Sequence, residues 1–430
     1  MKVAVIGAGI IGVTTAFELG RDGHEVTVFE RRGAAAEEAS FANAGVIAPG
    51  YVTPWAAPGM PGKVLAQLLR RHASMRFAMP LGMAEVAWLW RWYRACRLDV
   101  YRNNRTRLQA LAFYSRQRLH AITDQLRLSY DRSDGYLVLL RSERDRALVE
   151  PGLQVLRDAG VKFALVDADQ VRRLEPGLNP ETRLHAAIQL PEDEVANCRQ
   201  FALLLKAEAQ RQGVQFQFNT SVASLQAAGG VTVAFEGSAP AQRFDAAVVC
   251  AGVASAALLQ PLGVHIPLVA VHGYSISAAI REPLNAPRSA VMDEHYKVAI
   301  TRLGQRVRVA GGAELGVTRP SSGPVRCARS TRCCRTGSRV PPAMPRGCRN
   351  GKVLARCCPM ARRWSEPVAS RGCGSTWATA PAAGRWPAVL RGHWPTWCSG
   401  THRSSTWAGL HSNASPPDAC RGARPRSLTQ

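Results

Sequence analysis

The chain opens on an apolar run of strand length, Lys2 to Ile6 (KVAVI), which passes without a linker into Gly7-Ala8-Gly9-Ile10-Ile11-Gly12 and a helical stretch from Val13 to Arg21. A second run, Glu25 to Phe29 (EVTVF), follows the turn Gly23-His24 and ends at Glu30. Strand, glycine turn, helix and strand in that order predict a βαβ unit. Far downstream the pattern returns: an amphipathic helix over Phe201 to Gly213, a strand over Val214 to Phe218, and another over Val231 to Phe235 after Gly229-Gly230. A buried strand from Asp245 then ends in the small residues Cys250-Ala251-Gly252. Between these halves, Met83 to Arg105 reads as a helix with Trp88 and Trp92 on one face and Arg91, Arg94 and Arg97 at every third position.

The glycine turn carries the first chemistry. Gly7 permits a tight turn, Gly9 lets a pyrophosphate approach the backbone, and Gly12 lets the helix pack closely on its strand. The helix N-terminus offers N–H groups to phosphates. Glu30, 18 residues beyond Gly12, is placed to accept hydrogen bonds from ribose hydroxyls. NAD and FAD both use this opening. About ten residues later, Ser40-Phe41-Ala42-Asn43-Ala44-Gly45 is too rich in small residues for a packed helix. It suits either a loop along a flavin's phosphates and ring edge or an ordinary surface loop.

Composition separates the last 110 residues from the rest. Residues 321–430 hold 17 Arg and 1 Lys against Glu366 and Asp418, with nine of the twelve cysteines, six of the ten tryptophans and no Ile, Phe or Tyr. Such a segment cannot offset the entropy of ordering its backbone, so disorder is expected. The formal charge of +24 reflects this tail: the first 320 residues carry 37 basic and 29 acidic groups, a net +8. Cys96, Cys198 and Cys250 lack metal-ligand spacing and fit a reducing compartment, and no metal site is expected. Glycines at 7, 9 and 12 argue against a secretion signal. No apolar run reaches the roughly 18 residues that a bilayer span needs. The body is read as cytoplasmic.

VIGAGIIG (Val5 to Gly12), SFANAG (Ser40 to Gly45), PGY.TPWAAPG (Pro49 to Gly59), HGYSI (His272 to Ile276) and VMDEHYKVAITR (Val291 to Arg302) together resemble the bacterial D-amino acid dehydrogenases of the D-amino acid oxidase superfamily. The likeness covers nearly all of residues 1–319, with His272 standing where Lys is expected. It implies an α/β fold: a glutathione-reductase-like FAD-binding Rossmann domain (1–90 and 191–268) with an inserted α+β substrate domain (91–190 and 269–320). It implies FAD as cofactor, bound through Gly7, Ala8, Gly9, Ile10, Ile11, Gly12, Glu30, Arg31, Ser40, Asn43, Ala44, Gly45, Val222, Ala251 and Gly252. The implied reaction is oxidation of a D-amino acid to an imino acid that water hydrolyses to a 2-oxo acid and ammonia, with a quinone or respiratory carrier as electron acceptor. An oxygen-using amine or glycine oxidase and a non-catalytic flavin-binding remnant are the alternatives. Tyr274, Tyr296 and Arg302 are candidate substrate contacts, since phenols and a guanidinium hydrogen-bond a carboxylate. Tyr296 and Arg302 would share a face on an uninterrupted strand. The tryptophan helix either packs a core face while its arginines snorkel, the commoner arrangement, or lies peripherally on an anionic membrane near a quinone pool.

Beyond Pro320 the resemblance stops. Met and Trp each have one codon, so Met360-Ala361 and Trp377-Ala378 both yield Gly when read from each codon's third base. With GC-rich codons elsewhere, residues 355–366 can then read RPMLPDGxPVVG and residues 374–380 FNLGHG, similar to the family's closing motifs. The tail is therefore read as out-of-frame translation, with loss of the substrate-binding arginine and weak or absent turnover. An evolved Arg-rich arm for nucleic acid is the second reading, and the shifted match disfavours it.

Overall fold

Alternation along Lys2–Ile6 (β1) sends Val3 and Val5 to one side of a sheet and Ala4 and Ile6 to the other, and each side meets a different layer. The computed structural model describes residues 1–68, 75–77 and 81–315, and the backbone of 367–369 and 389–391. All of these lie in one unit, Met1–Gly392.

Helix α1 (Ile10–Arg21) begins inside the glycine turn, three residues earlier than the apolar periodicity predicts, because extended Gly9 serves as its N-cap. It returns the chain to β2 (Glu25–Phe29), parallel to β1. The short β3 (Val46–Ile47), α2 (Met60–Leu68) and β4 (Met75–Phe77) lead to α3 (Met83–Ala95) and the long α4 (Leu98–Leu126). The tryptophan segment is thus two helices. The break falls where Arg97 turns extended, with φ −64° and ψ 144°. Then come β5 (Arg132–Leu140), α5 (Glu143–Asp158), β6 (Ala164–Asp167), α6 (Ala168–Leu174) and β7 (Ala186–Ala196). Ser142 and Asp145 start α5 with a reciprocal capping box.

Helix α7 (Cys198–Arg211) begins earlier than expected because Asn197 caps it, accepting from the Gln200 N–H. It precedes β8 (Gln215–Gln217), β9 (Val222–Ala227), β10 (Val231–Phe235), β11 (Gln242–Phe244) and β12 (Ala246–Val249). A five-stranded sheet results, its parallel strands β12, β1, β2 and β8 in that order. One face packs Val3, Val5, Val26 and Val28 on Ala16 and Phe17 of α1 and Phe201 and Leu205 of α7. The other packs Ala4, Ile6 and Val249 on Leu225, Val231 and Val233 of the antiparallel β9–β10–β11 layer. Helices on one side and a small sheet on the other give the expected dinucleotide-binding architecture.

The remaining strands, β13 (Ala270–Ala279), β14 (Ala290–Asp293), β15 (Val298–Leu303) and β16 (Arg306–Leu315), join β5, β7 and β3 in a ten-stranded sheet. Helix α5 covers one face through Leu153 and Leu156 on Tyr136, Val138 and Met292. Trp88 of α3 packs with Trp55 on Val269, Val271 and Leu315, which satisfies the core reading for that tryptophan. Trp90 and Tyr93 instead remain 62% and 55% exposed, stacked at 5.9 Å. Among the described residues no helix is long and apolar enough to cross a membrane. Of the tail, Pro367–Ala369 pairs with β13 and Val389–Arg391 with β12 as short edge strands. Its expected disorder and its lost closing motifs otherwise lie outside the described residues.

Two carboxylates are buried in this framework. Asp193 on β7 accepts from the Gly50 N–H at 3.0 Å, and Glu175 accepts from the Arg288 N–H at 2.9 Å. Desolvation dominates both and pushes their pKa values up to about 7. Each holds its proton more tightly folded than unfolded, so stability falls as pH rises from about 4 toward about 7. Asp193→Asn should flatten that fall by on the order of a few kcal/mol. Melting temperatures of both proteins between about pH 5 and pH 8 test this, and parallel profiles would contradict it.

Candidate functional site

The carboxyl ends of β1, β2, β8 and β12 converge on the glycine turn, and three glycines fit it for different reasons. A Cβ on Gly12 would stand 1.8 Å from the Gly7 carbonyl oxygen, so helix and turn touch there backbone to backbone. Gly7 has φ +103°, and its Cβ would meet the Cys250 carbonyl oxygen at 2.7 Å. Gly9 is different: only Ser40 Oγ, at 3.5 Å, would meet its Cβ. That open side is the cradle a diphosphate needs, at a helix N-terminus without a side-chain cap.

The other predicted contacts surround the cradle. Ala8 N–H donates to Glu30 Oε2 at 2.7 Å, and Arg32 N–H to Glu30 Oε1 at 2.9 Å, fixing the carboxylate at the mouth of the turn. Each oxygen keeps acceptor capacity for a ribose hydroxyl. Arg31 sits beside it, half-exposed and paired with Glu38. Ala251 lies against Gly7, and Gly252, at φ +56°, starts the short helix that carries the chain out of β12. Val222 begins β9, two residues after Thr220 donates its N–H to the Glu30 carbonyl at 2.9 Å.

Ser40 to Gly45 is anchored on both sides. Ser40 is buried, and its Oγ accepts from the Ile10 N–H at 3.0 Å, occupying one donor of the helix end. Asn43 Oδ1 accepts from the Gly45 N–H at 3.2 Å. Gly45, at φ +73°, lies so close to β7 that a Cβ would stand 2.6 Å from the Ala196 carbonyl oxygen. Ala44 packs on the core beneath α5. Across the gap, Ser275 Oγ donates to the Ala42 carbonyl at 2.9 Å and Arg308 Nη1 to the Asn43 carbonyl at 2.8 Å. These two partners come from β13 and β16, far away in sequence, and no local pattern marks them.

The candidate substrate residues do not form one cluster. Tyr274 on β13 donates its hydroxyl to the buried Glu314 at 2.6 Å, and Glu314 stands directly across the ladder from buried His272. Gly312 is the extra residue of a bulge there, at φ +76°, and re-aims the strand under the Tyr274 ring. Tyr296 lies before β15, not on it. Lys297 at φ +54° separates them, so the uninterrupted strand expected to align Tyr296 with Arg302 is absent. The Tyr296 ring packs under the Arg141 guanidinium, 5.0 Å away. Arg302 pairs with Val307, four residues along from the Val298–Gly311–Tyr274 row, or about 13 Å. Its Nε donates to the Gly304 carbonyl at 3.3 Å. Glu314 escaped the sequence reading because a buried Glu has no local signature.

A glycine cradle at a helix end, a carboxylate at its mouth and a second, sheet-built domain beside it define a dinucleotide-dependent oxidoreductase of the flavin class. The profile described as FAD dependent oxidoreductase matches residues 2–388, and the chain belongs to that family. FAD is its cofactor. The D-amino acid dehydrogenase of Cereibacter sphaeroides is 43% identical over 317 residues, covering 73% of this chain and 73% of that protein. The Vibrio cholerae D-amino acid dehydrogenase is 41% identical over 317 residues, covering 73% and 75%. Among solved structures, glycine oxidase from Geobacillus kaustophilus superposes with a TM-score of 0.58 at 19% identity, over 79% of this chain and 80% of that one, a likeness of fold.

The two glycines predict different failures. Gly9→Ala should leave the melting temperature of the flavin-free protein unchanged and weaken FAD binding at least tenfold. Gly12→Ala should lower both, because the 1.8 Å contact cannot persist. Thermal melts and flavin titrations distinguish them; equal behaviour of the two variants would refute the separate roles.

Proposed function

We propose that the protein derives from a D-amino acid dehydrogenase: oxidative deamination of a D-amino acid to a 2-oxo acid and ammonia, with electrons passing to a quinone or respiratory carrier. The observation that carries this reading is the likeness to named D-amino acid dehydrogenases over about three quarters of the chain, on a fold whose cradle fits FAD. Bound FAD supplies the acceptor for the hydride that leaves the substrate's α-carbon. The chain's own residues must bind the carboxylate, orient that carbon and receive the amine in its neutral form.

Bond directions suggest a division of labour. Tyr274 spends its hydroxyl hydrogen on Glu314, so toward a ligand its oxygen presents lone pairs. That suits a substrate amine rather than the carboxylate first assigned to it. Hydride loss from the neutral amine gives an iminium ion, and water then replaces its nitrogen to form the 2-oxo acid and ammonia. The carboxylate needs donors. Tyr296 is the nearer of the two remaining candidates, while Arg302 lies about 13 Å along the sheet. Out-of-frame translation beyond Pro320 removes the arginine that the family resemblance would place here, so turnover is impaired.

Purified protein reconstituted with FAD should be yellow. With D-alanine and a dye acceptor it should turn over at least tenfold more slowly than a version whose reading frame is restored after Pro320. Equal rates, or an intact and verified gene frame, would overturn the impairment. Peroxide release without dye reduction would instead identify an oxidase.

The exposed face of α3, with Met83, Val86, Trp90 and Tyr93 outward beside Arg91 and Arg94, supports peripheral contact with an anionic membrane. Trp90→Ala with Tyr93→Ala should reduce sedimentation with phosphatidylserine-containing vesicles several-fold. Unchanged sedimentation would remove the membrane from the proposal.

A further inference from the structure

Arg308 is the one side chain through which β16 grips the loop from Ser40 to Gly45. Its Nη1 donates to the Asn43 carbonyl at 2.8 Å, and its Nε donates to Ser277 Oγ at 3.0 Å, its direct neighbour across the ladder. The side chain is mostly withdrawn from water, yet among the described residues it makes no salt bridge. The charged side chain that acts on it is another cation, Arg306, and together with desolvation this draws its pKa down to about 10. It therefore remains charged at neutral pH. Withdrawing a guanidinium without an opposite charge costs several kcal/mol, and proteins retain such groups where something negative arrives.

The loop's own order indicates what arrives. Its first residue, Ser40, bonds the N-terminus of α1, where the diphosphate belongs. Its far end, Asn43 to Gly45, has left that helix and lies against β7 and the large sheet. A cofactor running along the loop from the cradle presents its ring, not its phosphates, at Asn43. The flavin ring is neutral when oxidised and gains two electrons with one proton when it takes a hydride, leaving one negative charge.

We propose that Arg308 is the positioning cation of the flavin ring: it fixes the Asn43 backbone and stabilises the negative charge that the ring gains on reduction, thereby raising the flavin's midpoint potential. This supplies from β16 the positive charge that His272, in place of the expected Lys, leaves unprovided. The inference rests on the reading that Asn43 to Gly45 lines the ring, and it is independent of the substrate.

The test is a pair of substitutions in the full chain, Arg308→Lys and Arg308→Gln, each reconstituted with FAD and titrated with a reductant against a reference dye. Arg308→Gln should shift the equilibrium at least tenfold toward oxidised flavin, which is about 30 mV for a two-electron couple. Arg308→Lys should restore most of that shift. Equal effects of Lys and Gln, on potential or on flavin retention, would overturn the proposal, since hydrogen-bond geometry rather than charge would then be what the site uses. Asn43→Ala separates the underlying reading. It frees the Gly45 N–H, and so should move the visible flavin spectrum if the loop lines the ring. An unmoved spectrum would sink that reading, and with it the proposal, whereas a moved spectrum with an unaltered Arg308→Gln potential would sink the role of Arg308 alone.

Discussion

Everything about the cofactor side of this molecule depends on one close approach, that of Gly12 to the carbonyl of Gly7. A helix that starts within four residues of a strand must fold back so tightly that no side chain fits between them. The gain is positional: the unpaired N–H groups of α1 face the carboxyl edge of the parallel sheet, where β12 and β2 also end. Glu30 reaches that edge because β2 is in register with β1, Phe29 opposite Ile6, and its carboxylate locks onto the Ala8 N–H. The turn, its anchor and its strand are thus one hydrogen-bonded unit before any ligand enters.

The loop from Ser40 to Gly45 carries that geometry into the second domain. At one end a hydroxyl occupies the helix terminus; at the other, two consecutive carbonyls accept from β13 and β16. A backbone segment held by polar contacts on both sides transmits position without a continuous apolar interface. Small residues are required for it. Gly45 touches the Ala196 carbonyl, and Ala44 enters the core beneath α5, where a larger side chain would hold the loop away from the sheet.

Local order was legible in the sequence and non-local pairing was not. β1, β2 and β10 appear with the predicted limits, because each combines β-branched apolar residues with a turn at its end. The starts of α1 and α7 were missed by three residues: Gly9 and Asn197 cap before the apolar periodicity begins. The tryptophan segment split because extended backbone at Arg97 is invisible to a pattern of tryptophans and arginines. The substrate face was least legible. Tyr274, Tyr296 and Arg302 were chosen by chemistry and by even spacing, whereas a left-handed Lys297 and a bulge at Gly312 decide where these side chains stand. Neither irregularity has a sequence signal outside the glycine itself.

The two ends of an amino acid are consequently served unequally. Tyr274, Glu314 and His272 form a buried polar group on β13 and β16, assembled entirely before residue 316. It presents acceptors, and acceptors serve an amine. Recognition of the carboxylate needs donors with positive charge, and Arg302 is held at the other end of its strand against the Gly304 carbonyl. A zwitterion bound through its amine alone keeps its α-carbon free to swing, and hydride transfer tolerates little misplacement. The cofactor half and half of the substrate half are therefore written into the first 315 residues. The anchor that would turn amine binding into an oriented α-carbon must come from beyond them.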